Sequence, residues 1–499
     1  MGLRREDSLA IIIIVGFLGA RLALALLLGL GIDESYTLAI ARTLNLSYFD
    51  HPPLHQWIAH FAARGLGEGF GARLPFIALF AVTGWIFYRL TLDLFGARAA
   101  LIALFAFNVT PFFFASAGTW IVPDGPLLFG LCVAVWALAR LFFAEAPDSA
   151  SIWRLWLAVG LGFGLAGLSK YSAALSVVGL AAFVGFAPAQ RRWLAHPAAF
   201  FAAALALAIA SPAFVWNAEH SWASFAFQGS RGSLAGGLKP IQVLGMALGE
   251  IAYLFPWTFV ALIGGLAAAW RKRRDERRLF LICLALPPII LFTLTPLWGA
   301  RGLPQWTMSG WLFAFPLMGL WLDERATPPS VLRRWAFVSC SALAAVAAVV
   351  VVQASTGLLP LPPSVADPTL EAFSWGGLRD APALQNKPAF VLSTRWSDAG
   401  KIALALGPAT PVFVLSSDPR GWASVEGGQK LLGGDGVLIA RAADVSLARA
   451  AAAPAFTSLG ETQFVTLARN GRPEIALALV PVHGLTRGLP LPYPDARGG

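Results

Sequence analysis

Charge is the scarcest commodity in this 499-residue chain: Asp, Glu, Lys and Arg together make up 13%, about half their share in an ordinary soluble domain, roughly 25%. That scarcity excludes a disordered chain and makes a purely soluble enzyme a poor description. Cysteine is nearly absent. Cys132, Cys283 and Cys340 each lie inside an apolar run, so no disulfide scaffold or zinc framework is available, and they read as small core hydrophobes. No P-loop, G-x-S-x-G or H-E-x-x-H pattern occurs. Gly162-Phe163-Gly164-Leu165-Ala166-Gly167 does match G-x-G-x-x-G, but it sits within an apolar run, where small residues serve close helix packing rather than a dinucleotide. Asn45-Leu46-Ser47 is a formal glycosylation sequon and carries no weight without a secretory host.

What the chain has instead is apolar length. Hydrophobic residues reach 57%, and runs long enough to span a bilayer recur along the first 355 positions. Eleven are expected, near 9–30, 74–92, 99–117, 126–143, 153–169, 172–188, 198–214, 241–270, 279–295, 306–322 and 335–353, with 241–270 tilted or broken. The first follows Arg4 and Arg5 and is too long for a signal-peptide core of ~7–15 residues. The net charge of +10 would suit nucleic acid if clustered on one surface. It is distributed differently. Loops on the side of Arg4 and Arg5 hold seventeen Lys and Arg, those on the other side seven. This bias places the N-terminus and the Arg271–Arg278 cluster in the cytoplasm.

Beyond Thr356 the prolines Pro360, Pro362 and Pro363 mark a linker. Short apolar runs at 388–393, 411–416, 436–441, 464–468 and 474–480 read as strands, and 397–407 as a helix. Asn470-Gly471 is a hairpin turn. The tail, 356–499, is therefore an outer α/β domain behind a transmembrane domain, 1–355.

The outer loops carry the chemistry. Asp33-Glu34-Ser35-Tyr36 follows the first span, then Tyr48-Phe49-Asp50-His51-Pro52-Pro53-Leu54-His55. Asp124 lies in Val122-Pro123-Asp124-Gly125-Pro126, and Lys170 in Ser169-Lys170-Tyr171. Trp216-Asn217-Ala218-Glu219-His220 precedes Arg231, and Arg301 and Gln305-Trp306 lie on the same side. Singly, each reads equally as an interfacial charge or a snorkelling cation. Together, carboxylates, imidazoles and cations at one membrane face suit an anionic lipid-linked substrate. Cations neutralise a phosphate, and a carboxylate deprotonates an attacking hydroxyl. Carboxylate plus imidazole holds a divalent cation. A flippase for lipid-linked sugars is the rival reading, although transporters favour midplane charges and repeated halves, and no repeat is visible. A non-catalytic envelope-assembly protein is a second rival.

These residues resemble a known family. Asp33-Glu34 after the first span is similar to the acidic motif of the GT-C glycosyltransferases. Tyr48 to Leu54 resembles the Y-F-D/E-H/K-P-P-L loop of the bacterial branch related to protein O-mannosyltransferases, which includes the aminoarabinose transferase acting on lipid A (glycosyltransferase families 39 and 83). The segments around Asp124, Lys170 and Phe373-Ser374-Trp375-Gly376-Gly377-Leu378 are similar in a looser way. The resemblance implies a polytopic α-helical GT-C enzyme of a bacterial inner membrane. Its donor would be a polyprenyl-phosphate-linked sugar and its acceptor an envelope lipid, glycan or protein, with no nucleic acid involved. It implies catalytic roles for Asp33, Glu34 and Asp124, with Asp33 the general base. Lys170, Arg231 and Tyr48 would bind the donor phosphate. Asp50 would be a metal or structural ligand, and His51 and His220 ligands of a divalent metal ion, His51 standing where the lipid A enzyme has lysine.

Overall fold

The computed structural model describes residues 4–144, 148–231, 237–299, 302–359, 361, 367–425 and 427–489. Arg301 and the prolines Pro360, Pro362 and Pro363 lie outside them. By contact the chain forms two compact units: Met1–Ala23, His51–His55 and Leu74–Ala345 make one, and Leu24–Asp50, Gln56–Arg73 and Val346–Gly499 the other.

The first unit is helical, and its elements follow the apolar runs. Seven described helices are long and apolar enough to cross a membrane: Arg5–Leu27, Phe70–Phe95, Asp124–Phe143, Ser149–Ser169, Pro197–Glu219, Glu276–Trp298 and Pro329–Thr356, the last continuing into the second unit. Three further runs are bent pairs, Ala97–Val109 with Phe112–Thr119 (79°), Ala173–Phe186 with Pro188–Ala195 (117°), and Pro240–Leu254 with Pro256–Arg271 (102°). That makes up to ten spans by length, against the eleven expected. The remaining run, 306–322, appears as the seventeen-residue helix Met308–Glu324, buried over most of its length.

Each bend has the same local cause. Pro111, Pro188 and Pro256 follow the breaks, and a residue before proline is driven out of the α region. Thr110 (ψ 138°), Ala187 (ψ 83°) and Phe255 (φ 59°, ψ 139°) are all non-helical. A broken helix frees carbonyls that lipid cannot satisfy. At the first break Arg21, 2% exposed within the first helix, donates to Phe114 O (3.2 Å) and Phe113 O (3.3 Å) and lies 4.5 Å from the Phe80 ring.

The glycines of the G-x-G-x-x-G match are packing residues. A Cβ on Gly162 would stand 2.6 Å from Ala134 N and from Gly130 O, so helices 124–143 and 149–169 meet at backbone contact. Cys132 and Cys283 are buried, but Cys340 is exposed on Pro329–Thr356. The run that carries it is lipid-facing over much of its surface, so its cysteine is not a core residue.

The second unit holds a six-stranded sheet: β1 (Phe390–Ser393), β2 (Val412–Val414), β3 (Gly436–Arg441), β4 (Phe456–Leu459), β5 (Gln463–Arg469) and β6 (Arg472–Leu485). The order is β2-β1-β3-β6-β4, with β5 also on β6. β1 pairs parallel with β2 and β3, and helix Trp396–Leu406 makes the β1-to-β2 crossover. β6 runs antiparallel to β3, β4 and β5. Asn470 (φ 49°) and Gly471 (φ 78°) form the hairpin turn their sequence predicts. Strand alternation divides the core. Val391, Val437 and Ile439 pack on one face with Ile402 and Ala403 and with Tyr36, Ala39 and Ile40. Phe390, Leu392 and Leu438 pack on the other with Ala448 and Phe456. The tail thus folds together with two helices of the first outer connection, Ile32–Ala41 and Leu54–Leu66. These two helices, ten and thirteen residues long, are too short to register as membrane spans.

Candidate active site

The exit of the first span is built by two cations. After helix Arg5–Leu27 the chain must turn, leaving C-terminal carbonyls without helical partners. Arg73 donates to Ala25 O (3.0 Å), Leu28 O (2.7 Å) and Gly29 O (2.9 Å). Lys401 donates to Leu30 O, Glu371 O and Phe373 O. Positive charge at a helix C-terminus also opposes the macrodipole. The chain passes so close to the tail here that a Cβ on Gly29 would lie 2.2 Å from Ala372 O.

Helix Ile32–Ala41 starts directly afterwards. Glu34 is buried. Its carboxylate takes two bonds from Arg73, Nε–Oε1 at 2.7 Å and Nη2–Oε2 at 2.5 Å, and accepts from Gly31 N at 2.8 Å. The adjacent Asp33 is exposed. One acid of the pair is thus locked into the fold, and the lock presents the other to solvent on the first helical turn.

Asp50 is 7% exposed. Its Oδ2 accepts from the Tyr36 hydroxyl, which in turn accepts from Gly421 N at 2.8 Å. Its Oδ1 pairs with Arg420 at 3.3 Å, and the Arg420 guanidinium lies 3.9 Å over the Trp396 ring. Burial raises the Asp50 carboxyl above its usual range. Arg420 and the Tyr36 hydrogen bond pull it back, while the negative charges of Asp33 and Asp418 act in the same direction as burial. Tyr48 is 1% exposed; its hydroxyl donates to Thr43 O (2.9 Å) and accepts from Asn45 N (3.3 Å). It pins the loop, which is why it does not suit the phosphate role expected of it.

In the helical unit, Asp124 opens helix Asp124–Phe143 and Lys170 ends Ser149–Ser169 in an extended conformation. Lys170 Nζ pairs with Asp124 Oδ1 at 2.9 Å, and Ser169 Oγ donates to Pro123 O at 2.6 Å. Two motifs 46 residues apart are thereby stitched side by side. Both charges are about nine-tenths buried, 8% and 9% exposed. His55 is buried near Lys170, and burial followed by that positive charge holds its imidazolium down to about 3. Burial thus favours the neutral ring, which lies edge-on to His51 at 5.8 Å. Arg231 follows helix Ala223–Ser230 with its guanidinium 4.8 Å from the Trp306 ring. His220 is stacked on Trp216 at 4.0 Å, its Nδ1 2.8 Å from Trp216 O.

The donor set does not fit the metal expected of Asp50, His51 and His220. Among the described residues no three His, Cys, Asp or Glu side chains come together to hold an ion. Asp50 spends its oxygens on Tyr36 and Arg420, and His220 directs Nδ1 at its own helix.

Known proteins bear on this arrangement. The structure superposes on ArnT from Cupriavidus metallidurans, crystallised bound to undecaprenyl phosphate, with a TM-score of 0.63 at 16% identity, covering 94% of this chain and 97% of that one. The apo form of the same protein gives 0.60 at 16% identity, over 93% and 97%. The fold is that of the GT-C glycosyltransferases. Residues 50–216, beginning in the Tyr48–Leu54 loop, match the family described as dolichyl-phosphate-mannose-protein mannosyltransferase. The lipid A galacturonosyltransferase RgtD of Rhizobium johnstonii is 23% identical over 311 residues, 58% of this chain; the match spans 60% of that relative's length. The resemblance read from the Pro-Pro loop is borne out, as is the polytopic GT-C architecture with its C-terminal α/β domain.

Within this GT-C frame the residues that sequence reasoning missed are the partners. Arg73, Lys401 and Arg420 drew no attention beyond their charge. They act on groups 39, 371 and 370 residues away, and no local pattern announces such a pairing.

Proposed function

We propose that the protein transfers a hexosyl or pentosyl residue from a polyprenyl-phosphate carrier to an envelope lipid of the lipid A type. Catalysis is assigned to residues 1–355. The reaction is placed on the outer face of a bacterial inner membrane, with the N-terminus cytoplasmic and the α/β domain, 356–499, periplasmic. The observation that carries this reading is Asp33, an exposed carboxylate on the first turn of a helix whose start is fixed by the Glu34–Arg73 lock. Support comes from the fold shared with an undecaprenyl-phosphate-binding protein and from the likeness to a lipid A galacturonosyltransferase.

In this mechanism Asp33 takes the proton of the acceptor hydroxyl as its oxygen attacks the anomeric carbon. The carbon–oxygen bond to phosphate breaks, and the polyprenyl phosphate leaves with the electron pair. A phosphate leaving group needs no proton when cations stabilise its charge. Lys170 and Arg231 are assigned that task, with Asp124 positioning Lys170 through their ion pair. Glu34 is assigned to positioning Asp33 rather than to chemistry, and Tyr48 to holding the loop. No step is assigned to a metal.

The test is sugar transfer from a synthetic polyprenyl-phosphate sugar to lipid A by purified protein. Removing a general base costs about 10²–10⁴ in rate, so Asp33→Asn should lower kcat by that factor with an unchanged melting temperature. Undiminished transfer would remove Asp33 from the mechanism. Movement of the lipid-linked sugar across vesicles without transfer would favour the flippase.

A further inference from the structure

The second unit contains a concave groove that the reaction above does not use. It encloses about 470 Å³ between helices Ile32–Ala41 and Leu54–Leu66, and its lining includes Leu38, Arg42, His60, Arg64, Glu68 and Pro408. Arg42 and Glu68 neutralise one another through two bonds, 2.7 and 2.8 Å, and Arg42 also donates to Ala403 O and Gly407 O. Arg64 is different. It is exposed, and among the described residues none of its nitrogens has a protein partner. The net charge of the groove is therefore its charge.

His60 is built into the wall at 5% exposure. Its Nδ1 stands 2.6 Å from Ala41 O. A carbonyl only accepts, so Nδ1 carries the hydrogen, and Nε2 remains for a ligand hydroxyl. Helix Leu54–Leu66, one wall of the groove, also presents the bare apolar side chains Phe61 (63%) and Leu66 (55%), and the loop that follows Ile32–Ala41 presents Leu44 (50%) and Leu46 (49%). A polar, net-positive hollow with an apolar skirt has the chemistry of a site for an anionic glycolipid headgroup.

Its place in the helix matters. Asp33 opens Ile32–Ala41 and the groove lies against the other end, roughly 12 Å along at 1.5 Å per residue. That is close to the reach of a disaccharide.

We propose that this groove is the distal acceptor subsite. It binds an anionic substituent of the lipid acceptor at Arg64 and a hydroxyl at His60 Nε2, while the reacting hydroxyl is at the Asp33 end. The occupant rests on the proposed function; the groove's selectivity for an anionic glycolipid does not.

The test therefore measures binding apart from transfer. Full-length protein in detergent is examined by native mass spectrometry with bisphosphorylated lipid A and with its dephosphorylated form. A charge-assisted contact gives about tenfold or more in affinity, so the wild type should retain the phosphorylated form by about that factor. Arg64→Gln should abolish the preference and Arg64→Lys should keep most of it. Equal retention of the two forms by wild type, or an unchanged preference in Arg64→Gln, overturns the subsite. So does phosphatidylglycerol displacing lipid A at equal concentration, which would make it a bulk-lipid groove. In the transfer assay Arg64→Gln should raise the acceptor KM about tenfold. Absence of any transfer by wild type would overturn the proposed function, while the binding comparison would still decide whether the groove selects anionic glycolipid.

Discussion

Replacing Arg73 by Met isolates the lock at the end of the first span. The guanidinium makes five hydrogen bonds, two to the Glu34 carboxylate and three to Ala25 O, Leu28 O and Gly29 O. Both charged side chains are essentially enclosed, 2% and 3% exposed. Methionine preserves the stem and loses every donor. Breaking a buried pair from one side costs about 3–5 kcal/mol, because the remaining charge is left uncompensated. The three carbonyls overlap with that figure rather than adding to it in full, since relaxation admits water to some of them. For a unit of about 200 residues each kcal/mol moves the melting temperature by about 2–4 °C, so Arg73→Met should lower it by about 6–20 °C. Because the same lock presents Asp33, kcat at a permissive temperature should also fall. The double variant Arg73→Met/Glu34→Gln gives the sharper comparison. With no carboxylate to strand, it should melt above the single Arg73→Met variant and recover about 2 kcal/mol. A fall below about 2 °C in the single variant, or a double variant no better than additive, would refute the account.

Two further outcomes follow from the second unit. A Cβ at position 400 would stand 2.7 Å from Tyr36 N, where helix Trp396–Leu406 meets Ile32–Ala41. Gly400→Ala should therefore destabilise by about 1–3 kcal/mol through overpacking, read as a lower melting temperature; no change would mean the two helices separate freely. Asp50 supplies a pH test. Its carboxyl is raised above the ordinary 3.8 by burial, so just above that pH the native state binds more protons than the unfolded one. Stability from this group is present at and below about pH 4 and is lost as pH rises through the native value. Asp50→Asn should thus cost most near pH 4 and least at neutral pH in paired melts. The opposite trend would show that Arg420 and Tyr36 outweigh burial.

The spans were legible because lipid demands long apolar runs, and the hairpin at Asn470-Gly471 because only a few residues accept two positive φ values in succession. Pro111, Pro188 and Pro256 were visible too, and each marks a bend. The catalytic candidates Asp33 and Asp124 and the cation Lys170 were found from residue type and loop position. The difference between Asp33 and Glu34 was not. It depends on Arg73, whose selection of one acid over its neighbour comes from tertiary packing. Tyr48 failed for the same reason, since nothing in Tyr48-Phe49-Asp50 says which way its ring turns. Helix Leu54–Leu66 is too short and too polar to register as a span, and β4 lacks alternation over its four residues, Phe456–Leu459.

The tail has a timing built into its topology. β6 is fourteen residues long and serves as the common neighbour of β3, β4 and β5, yet it is the last strand of the six. Until it is synthesised, the two parallel pairings of β1 are all the sheet can form. Nascent chains interrupted before residue 472 would display unpaired edges to proteolytic surveillance, so arrival of a single late segment converts the whole layer from a degradation substrate into a finished support for the Asp33 helix.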